Sequence, residues 1–149
     1  MAYGTNSYKG QYKVKNPEKY RGDANAVYAR SSWETKFFIY CDNNSYIVEW
    51  ASEEIVIPYI SPIDGKRHRY FVDGYIKALK PDGTTQKYMV EIKPKKFTME
   101  PVPQKKKTKA YINECLQWAV NQAKWAAATE VCMDNGWEFM ILTEDHLKV

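Results

Sequence analysis

The chain has 149 residues, of which 44% are hydrophobic and 15% aromatic, with 5 Trp, 12 Tyr and 5 Phe. That is one domain's length with enough apolar mass for a core, so a disordered protein is excluded, and no apolar run approaches the ~20 residues of a membrane helix. Cys41, Cys115 and Cys132 form no C-x-x-C pair and are odd in number, so a disulfide framework is not expected and a reducing compartment is the default.

The N-terminal stretch MAYGTNSYKGQYK holds no continuous apolar run, so no signal peptide is expected. Residues 1–25 are polar and read as a basic, aromatic, irregular arm. A helix is expected from Ser31, because Ser31-Ser32-Trp33-Glu34 fits a capping box. Trp33, Phe37, Tyr40 and Cys41 then recur on one helical face, and Asp42-Asn43-Asn44 ends the helix. Short β-rich runs follow at 47–50 and 54–60, and 61–66 carries turn chemistry. The run 69–76 reads as one strand, Lys80-Pro81-Asp82-Gly83 as a turn, and 87–93 as the next strand. Pro94, Pro101 and Pro103 exclude a regular element from 94 to 107, so the 94–109 stretch is expected to be a basic mobile loop.

From Thr108 to Asn135 the spacing predicts a long helix stopped by Gly136. Its expected face is Tyr111, Cys115, Trp118, Gln122, Trp125, Thr129 and Cys132, widened by Ile112, Leu116, Ala119 and Ala126. A last strand covers 137–142. This order of elements predicts an α/β fold in a single domain spanning 1–149: a small mixed sheet flanked by an N-terminal helix and a long C-terminal helix.

The net charge of +4 is unevenly spread. Lys93, Lys95, Lys96, Lys105, Lys106, Lys107 and Lys109 face one acid, Glu100, in seventeen residues, leaving 15 bases and 17 acids elsewhere. The arm adds Lys9, Lys13, Lys15, Lys19 and Arg21, interleaved with Tyr3, Tyr8, Tyr12 and Tyr20. Two basic segments on a near-neutral body suggest a polyanion such as the DNA backbone, gripped without sequence readout. The alternative is that both are solvated segments.

With only His68 and His146, a histidine-rich zinc site or a Ser-His-Asp triad has little support, and no Gly-rich phosphate loop is present. His68 and the cysteines read as surface and core residues respectively. What remains is acidic. Strand alternation puts Glu91 and Lys93 on one face, with Val90 and Ile92 opposite. If the strands around 73 and 91 are neighbours, Asp73 and Glu91 stand side by side. Such a pair repels unless a cation compensates, and hard ions such as Mg²⁺ or Mn²⁺ prefer oxygen ligands. The amine of Lys93 would orient the attacking water or help deprotonate it. On the plainer reading Asp73 and Glu91 are solvent-facing edge acids.

Asp73…Glu91-Ile92-Lys93 resembles the core of the PD-(D/E)xK nucleases, with Val72 where the motif's Pro usually stands. Arg30-Ser31-Ser32-Trp33-Glu34 resembles the R-S-x-x-E helix of phage junction-resolving endonucleases and of the transposon end-cleaving endonuclease subunit. Glu34 then maps to the carboxylate that completes the acidic set, although a capping-box acid explains it equally. Further segments, from Tyr8-Lys9-Gly10 through Asn16-Pro17, Glu49-Trp50 and His68-Arg69-Tyr70-Phe71-Val72-Asp73 to Asn121-Gln122-Ala123-Lys124-Trp125, are similar to the head-completion nucleases of T-even-type phages.

The resemblance implies a restriction-endonuclease-like core and Mg²⁺- or Mn²⁺-dependent cleavage of DNA, endonucleolytic with exonuclease action as a second mode. It places that activity after DNA packaging and before head–tail joining. Glu34, Asp73, Glu91 and Lys93 would be catalytic. Asp73, Glu91 and the Ile92 carbonyl would hold metal, and Lys95, Lys96, Lys105, Lys106, Lys107 and Lys109 would grip DNA. The portal or another head-completion protein is the expected partner. Host cytoplasm during assembly, or the virion itself, is the expected location, with no membrane. Two rivals are a non-catalytic DNA-end or portal-binding protein and a dimeric junction resolvase. Glu53, Glu54, Lys124, Trp118 and Trp125 carry little weight as site residues from sequence.

Overall fold

The computed structural model describes residues 10–148. Tyr3, Tyr8 and Lys9 of the expected arm lie outside the described residues. The chain begins with a two-residue strand, β1 (Gly10–Gln11), makes one 3-10 turn at Pro17–Lys19, and pairs β1 antiparallel with β2 (Tyr28–Ala29). Helix α1 (Ser32–Asn43) follows, its first turn capped by the Ser31 hydroxyl, which accepts from the Glu34 amide. Strands β3 (Ile47–Ser52), β4 (Val56–Ile60), β5 (Arg67–Phe71), β6 (Gly74–Leu79) and β7 (Thr85–Ile92) come next. Helix α2 (Lys109–Asn135), strand β8 (Glu138–Leu142) and the short helix α3 (Glu144–Leu147) complete the chain. Among the described residues no helix is long and apolar enough to cross a membrane.

The main sheet has the order β3-β6-β7-β8, antiparallel except for the parallel β7–β8 pair, and β4 and β5 form a separate hairpin. The mixed sheet carries a core on each face, as alternation along β7 requires. Val90 and Ile92 point to the α1 side, among Phe37, Phe38, Cys41 and Trp50. Met89 points to the α2 side, among Trp125, Ala128, Cys132 and the hairpin residues Ile57, Tyr59 and Tyr70.

Four expectations need correction. The run 69–76 is two strands in two sheets. The chain leaves the hairpin at Phe71 and joins the main sheet at Gly74, because the Val72 amide turns aside to donate to Ile55 O. Gly74 seals the join: a Cβ there would meet the Phe37 ring at 2.6 Å, so only glycine lets α1 lie this close. Secondly, the described part of the arm, residues 10–25, packs on the body rather than standing as a solvated segment. Tyr12 packs edge-on to Trp50, Tyr20 is buried, Lys19 Nζ donates to Cys41, Asp42 and Asn44 carbonyls at the C-terminus of α1, and Arg21 pairs with Glu49 at 3.2 Å. Lys19 is thereby committed to the end of α1, while Arg21 stays largely exposed beside Glu49.

Thirdly, helix faces are rotated from the expected ones. In α1 the buried residues are Glu34, Phe37, Phe38, Cys41 and Asp42, with Tyr40 exposed. In α2 they are Asn121, Trp125, Ala128 and Cys132, while Ile112, Leu116, Gln122, Ala126 and Thr129 face solvent. Finally, the basic loop holds one 3-10 turn, Lys95–Thr98. The ends of α2 match expectation: Thr108 caps the start, and Gly136 at φ 71° takes the left-handed C-cap.

Candidate active site

The site lies where the chain crosses from hairpin to sheet. Strands β6 and β7 pair with Gly74 opposite Val90, so one register step further Asp73 stands opposite Glu91. Both are buried, at 8% and 4% relative exposure, so neither is the solvent-facing edge acid of the plainer reading. Asp73 Oδ2 accepts from the Ile92 amide at 2.8 Å, and Glu91 Oε2 accepts from the Trp125 indole at 2.8 Å. Burial, reinforced by a hydrogen bond to the Glu91 carboxyl and by its charge, holds the Asp73 carboxyl well above its ordinary pKa. Two carboxyls brought together at one buried point repel when both are charged, and a cation between them would relieve that repulsion.

Lys93 is buried beside the pair, its amide donating to Leu142 O across the parallel ladder. Glu34 approaches from α1: it is buried, its Oε1 accepts from the Arg30 amide at 3.4 Å, and its charge adds to the rise of the Asp73 pKa. Burial raises the pKa of Glu34 as well. Glu34 thus sits in the first turn of α1 with its carboxylate turned back to the Arg30 amide, and its charge reaches Asp73. It stands off from the pair, because among the described residues no three His, Cys, Asp or Glu side chains converge closely enough to cage an ion.

That arrangement suits a hard divalent ion of small radius. Mg²⁺ keeps several waters and takes one or two carboxylates together with substrate phosphate oxygens, rather than a complete protein cage. Asp73 and Glu91, with the Ile92 carbonyl at the end of β7, are such a partial set.

Three residues around the pair carry little weight from sequence, as with Lys124 and Trp125, or are not singled out by it at all, as with Tyr70. Lys124 lies half-buried with Nζ 5.6 Å from the Tyr70 ring centroid and 5.9 Å from that of Tyr59. Burial lowers its pKa, and it feels the charges of Glu91, Lys93 and Asp73, so its amine faces the site rather than bulk solvent. The Tyr70 hydroxyl is buried, and burial together with the charges of Glu91 and Asp73 pushes its pKa up. Trp125 holds Glu91 in place. A lysine at a strand end is conspicuous next to an acid motif, whereas a lysine in a long helix looks solvated until the face it occupies is known. Glu53, by contrast, is drawn into an ion pair with Arg30 at 2.9 Å, and Glu54 lies against Gly22.

The basic loop divides in two. Lys95 is tied to α3, its amide donating to Glu144 at 2.7 Å and its amine pairing with Asp145 at 3.2 Å. Lys105, Lys106, Lys107 and Lys109 are exposed around the N-terminus of α2, where the helix dipole adds to their positive field. Lys96 lies over the Phe97 ring, 4.8 Å from its centroid. His68 is exposed and paired with Asp64 at 2.8 Å, and the cysteines are free, Cys41 and Cys132 buried and Cys115 half-buried.

Comparison with known proteins agrees with this geometry. The family model described as TnsA-like endonuclease N terminal matches residues 44–144, which include Asp73, Glu91, Lys93 and Lys124. The head completion nuclease of Enterobacteria phage T4 is 42% identical over 146 residues, covering 95% of each chain. No solved structure matches the chain. The chain therefore belongs to the family of phage head-completion nucleases and carries a TnsA-like endonuclease domain with the PD-(D/E)xK, restriction-endonuclease-like arrangement.

Proposed function

We propose that this protein is a Mg²⁺- or Mn²⁺-dependent deoxyribonuclease that hydrolyses phosphodiester bonds during phage head completion, after packaging and before head–tail joining. The observation that carries the reading is the buried Asp73–Glu91 pair beside two amines, at the end of a ladder that fixes its register. A divalent ion held by Asp73, Glu91 and the Ile92 carbonyl would make hydroxide available near neutral pH and offset charge building on the phosphate.

The chain's own groups divide the remaining work. The Ile92 amide and the Trp125 indole fix the two carboxylates, so little reorganisation accompanies the reaction. Lys93 orients the attacking water and stabilises the phosphoryl oxygens, Lys124 adds a second positive charge from the opposite wall, and Glu34 contacts water from the α1 side. The exposed lysines at 105, 106, 107 and 109, with Lys96, hold the DNA backbone electrostatically, without reading sequence. Lys95 is a weaker candidate for that role, because Asp145 already engages it. The portal or another head-completion protein, met in the host cytoplasm or within the virion, is the partner consistent with the family's name.

Plasmid nicking in Mg²⁺, Mn²⁺ and EDTA tests the reading. Cleavage is expected with either ion, none in EDTA, and none from Asp73→Ala; an Asp73→Ala protein that cuts at the parent rate overturns it, and so does a parent protein that binds DNA without cutting. The second outcome would favour the non-catalytic DNA-end protein.

A further inference from the structure

Beside the carboxylate pair is a cavity that the metal chemistry does not use. It holds about 390 Å³ between the 95–98 turn and the first half of α2, and Lys96, Phe97, Met99, Gln117, Trp118 and Asn121 line it. Both of its walls are anchored by the site. One wall leaves β7 directly after Lys93. The other is α2 one turn before Trp125, which grips Glu91, so Asn121 lies roughly 6 Å along the helix axis from that contact. The Asn121 end of the cavity is the end nearest a phosphate held at Asp73 and Glu91, and Trp118 lies roughly 10 Å along the helix axis from Trp125, the reach of one to two nucleotides.

The lining suits an unpaired base. Trp118 supplies an aromatic ring to the lining, and every base has a π-face to stack on it, while Lys96 already lies over the Phe97 ring at the rim. Gln117 Nε2 donates to Asn121 Oδ1 at 3.1 Å, which orders an amide pair that still carries an acceptor on Gln117 and a donor group on Asn121 for a base edge. Lys96 at the rim supplies a charge for the adjoining phosphate. The volume admits a single base with its sugar, in the size class of small-molecule sites, and not a duplex.

Resting on the nuclease reading, we infer that this cavity receives an unpaired base next to the cut phosphate. The enzyme then acts preferentially on DNA with locally unpaired nucleotides, such as overhangs, flaps and frayed ends.

Two measurements on the full chain test this. In EDTA, a duplex carrying a fluorescent 2-aminopurine in a short overhang should be quenched on binding, whereas the same probe inside a paired duplex should not. In Mg²⁺, the overhang substrate should be cut about tenfold or more faster than the fully paired one, the scale that one base–aromatic stack supplies. The double variant Ala110→Leu/Asn113→Leu fills the cavity from two exposed helix positions, with melting used to verify its fold. It should lose the quenching and bring the cutting ratio near one. Trp118→Leu should lose the quenching too.

Equal cutting of both substrates by the parent, or quenching that survives filling, overturns the inference; a cavity that seats a virion protein segment would give that result. If quenching appears but no DNA is cut in either ion, the nuclease reading fails while the base site stands.

Discussion

Asp42 and Asp73 are both buried acids, at 1% and 8% relative exposure, yet their pKa values move in opposite directions. Burial alone would raise both. At Asp42 that effect is outweighed by hydrogen bonds from the Lys15 amide, the Tyr12 hydroxyl and the Asn16 amide and side chain, at 2.7, 2.7, 3.0 and 3.4 Å, so its carboxyl is held below the ordinary range. Asp73 receives one amide and faces a second carboxyl, so its proton is retained. The first acid is a clasp for the N-terminal arm, complete within the protein. The second has too few hydrogen-bond donors to keep its carboxyl charged at a buried point, and a divalent cation is the group that would supply the missing charge.

Substitution separates the two most sharply. Asp73→Ala, Glu91→Gln or Lys93→Ala should each lower plasmid cleavage by at least about a thousandfold, since each removes a group aimed at developing charge. Melting should remain cooperative. Asp42→Ala should do the reverse: cutting per folded molecule is retained, while stability drops by about 3 kcal/mol, because the removal orphans several donors at a buried point. At this chain length that is a fall of roughly 6–12 °C in Tm. If Asp42→Ala abolishes cutting in fully folded protein, the division between clasp and reaction centre is wrong.

The pH dependence follows with opposite signs. Asp73 binds its proton more tightly folded than unfolded, so in EDTA its contribution is most favourable below the ordinary carboxylate pKa of about 4, and stability falls as pH rises from there through the raised folded value. Asp42 contributes stability above about 4, lost as pH falls through its lowered folded value. Melting in EDTA should therefore carry a decline as pH rises above about 4, and Asp73→Asn should flatten that decline. Excess Mg²⁺ should raise the Tm of the parent, with about 2.7 kcal/mol expected at a hundred times Kd, and leave Asp73→Asn unmoved. A parent that gains nothing from Mg²⁺ or Mn²⁺ has no ion site at the pair.

How much of this was legible in the sequence depended on the range of the forces involved. Local signals carried far: Thr108 and Gly136 bounded the long helix, and Ser31 began the first one, because caps act within a turn. Alternation along β7 put Glu91 and Lys93 on one face correctly. The break between Phe71 and Gly74 was missed although Asp73-Gly74 is a turn dipeptide; the apolar residues on either side read as one strand, and the contacts that part them come from Ile55 and Phe37, residues distant in sequence. Lys124 was underweighted for a similar reason. Whether a helical lysine meets solvent or a carboxylate pair is decided by which face the sheet covers, and the burial of Asn121 and Trp125 fixes that face about one position away from the expected stripe. The docked arm escaped notice because its anchor, Asp42, looked like a helix-ending polar residue.

Lys124 gives an intermediate test. Lys124→Ala should slow cutting by about 10- to 100-fold, less than loss of Lys93, since removing one pre-organised electrostatic partner costs on that order. Lys124→Arg, which keeps the charge over Tyr59 and Tyr70, should recover part of the loss.

The exposed lysines should change the chemistry least and the salt response most. Replacing Lys105, Lys106 and Lys107 with Gln removes three charges around the N-terminus of α2 and no buried contact, so melting should move little. Each phosphate contact contributes about 0.9 to the slope of log affinity against log salt on duplex DNA, so the triple variant should flatten that slope by up to about 2.7. Cutting at saturating DNA and low salt should stay near the parent rate, because these amines are tethered to a surface loop and not to the carboxylate pair. An unchanged salt slope would place the backbone grip elsewhere, with Lys96, Lys109 and Lys124 among the cations left to carry it.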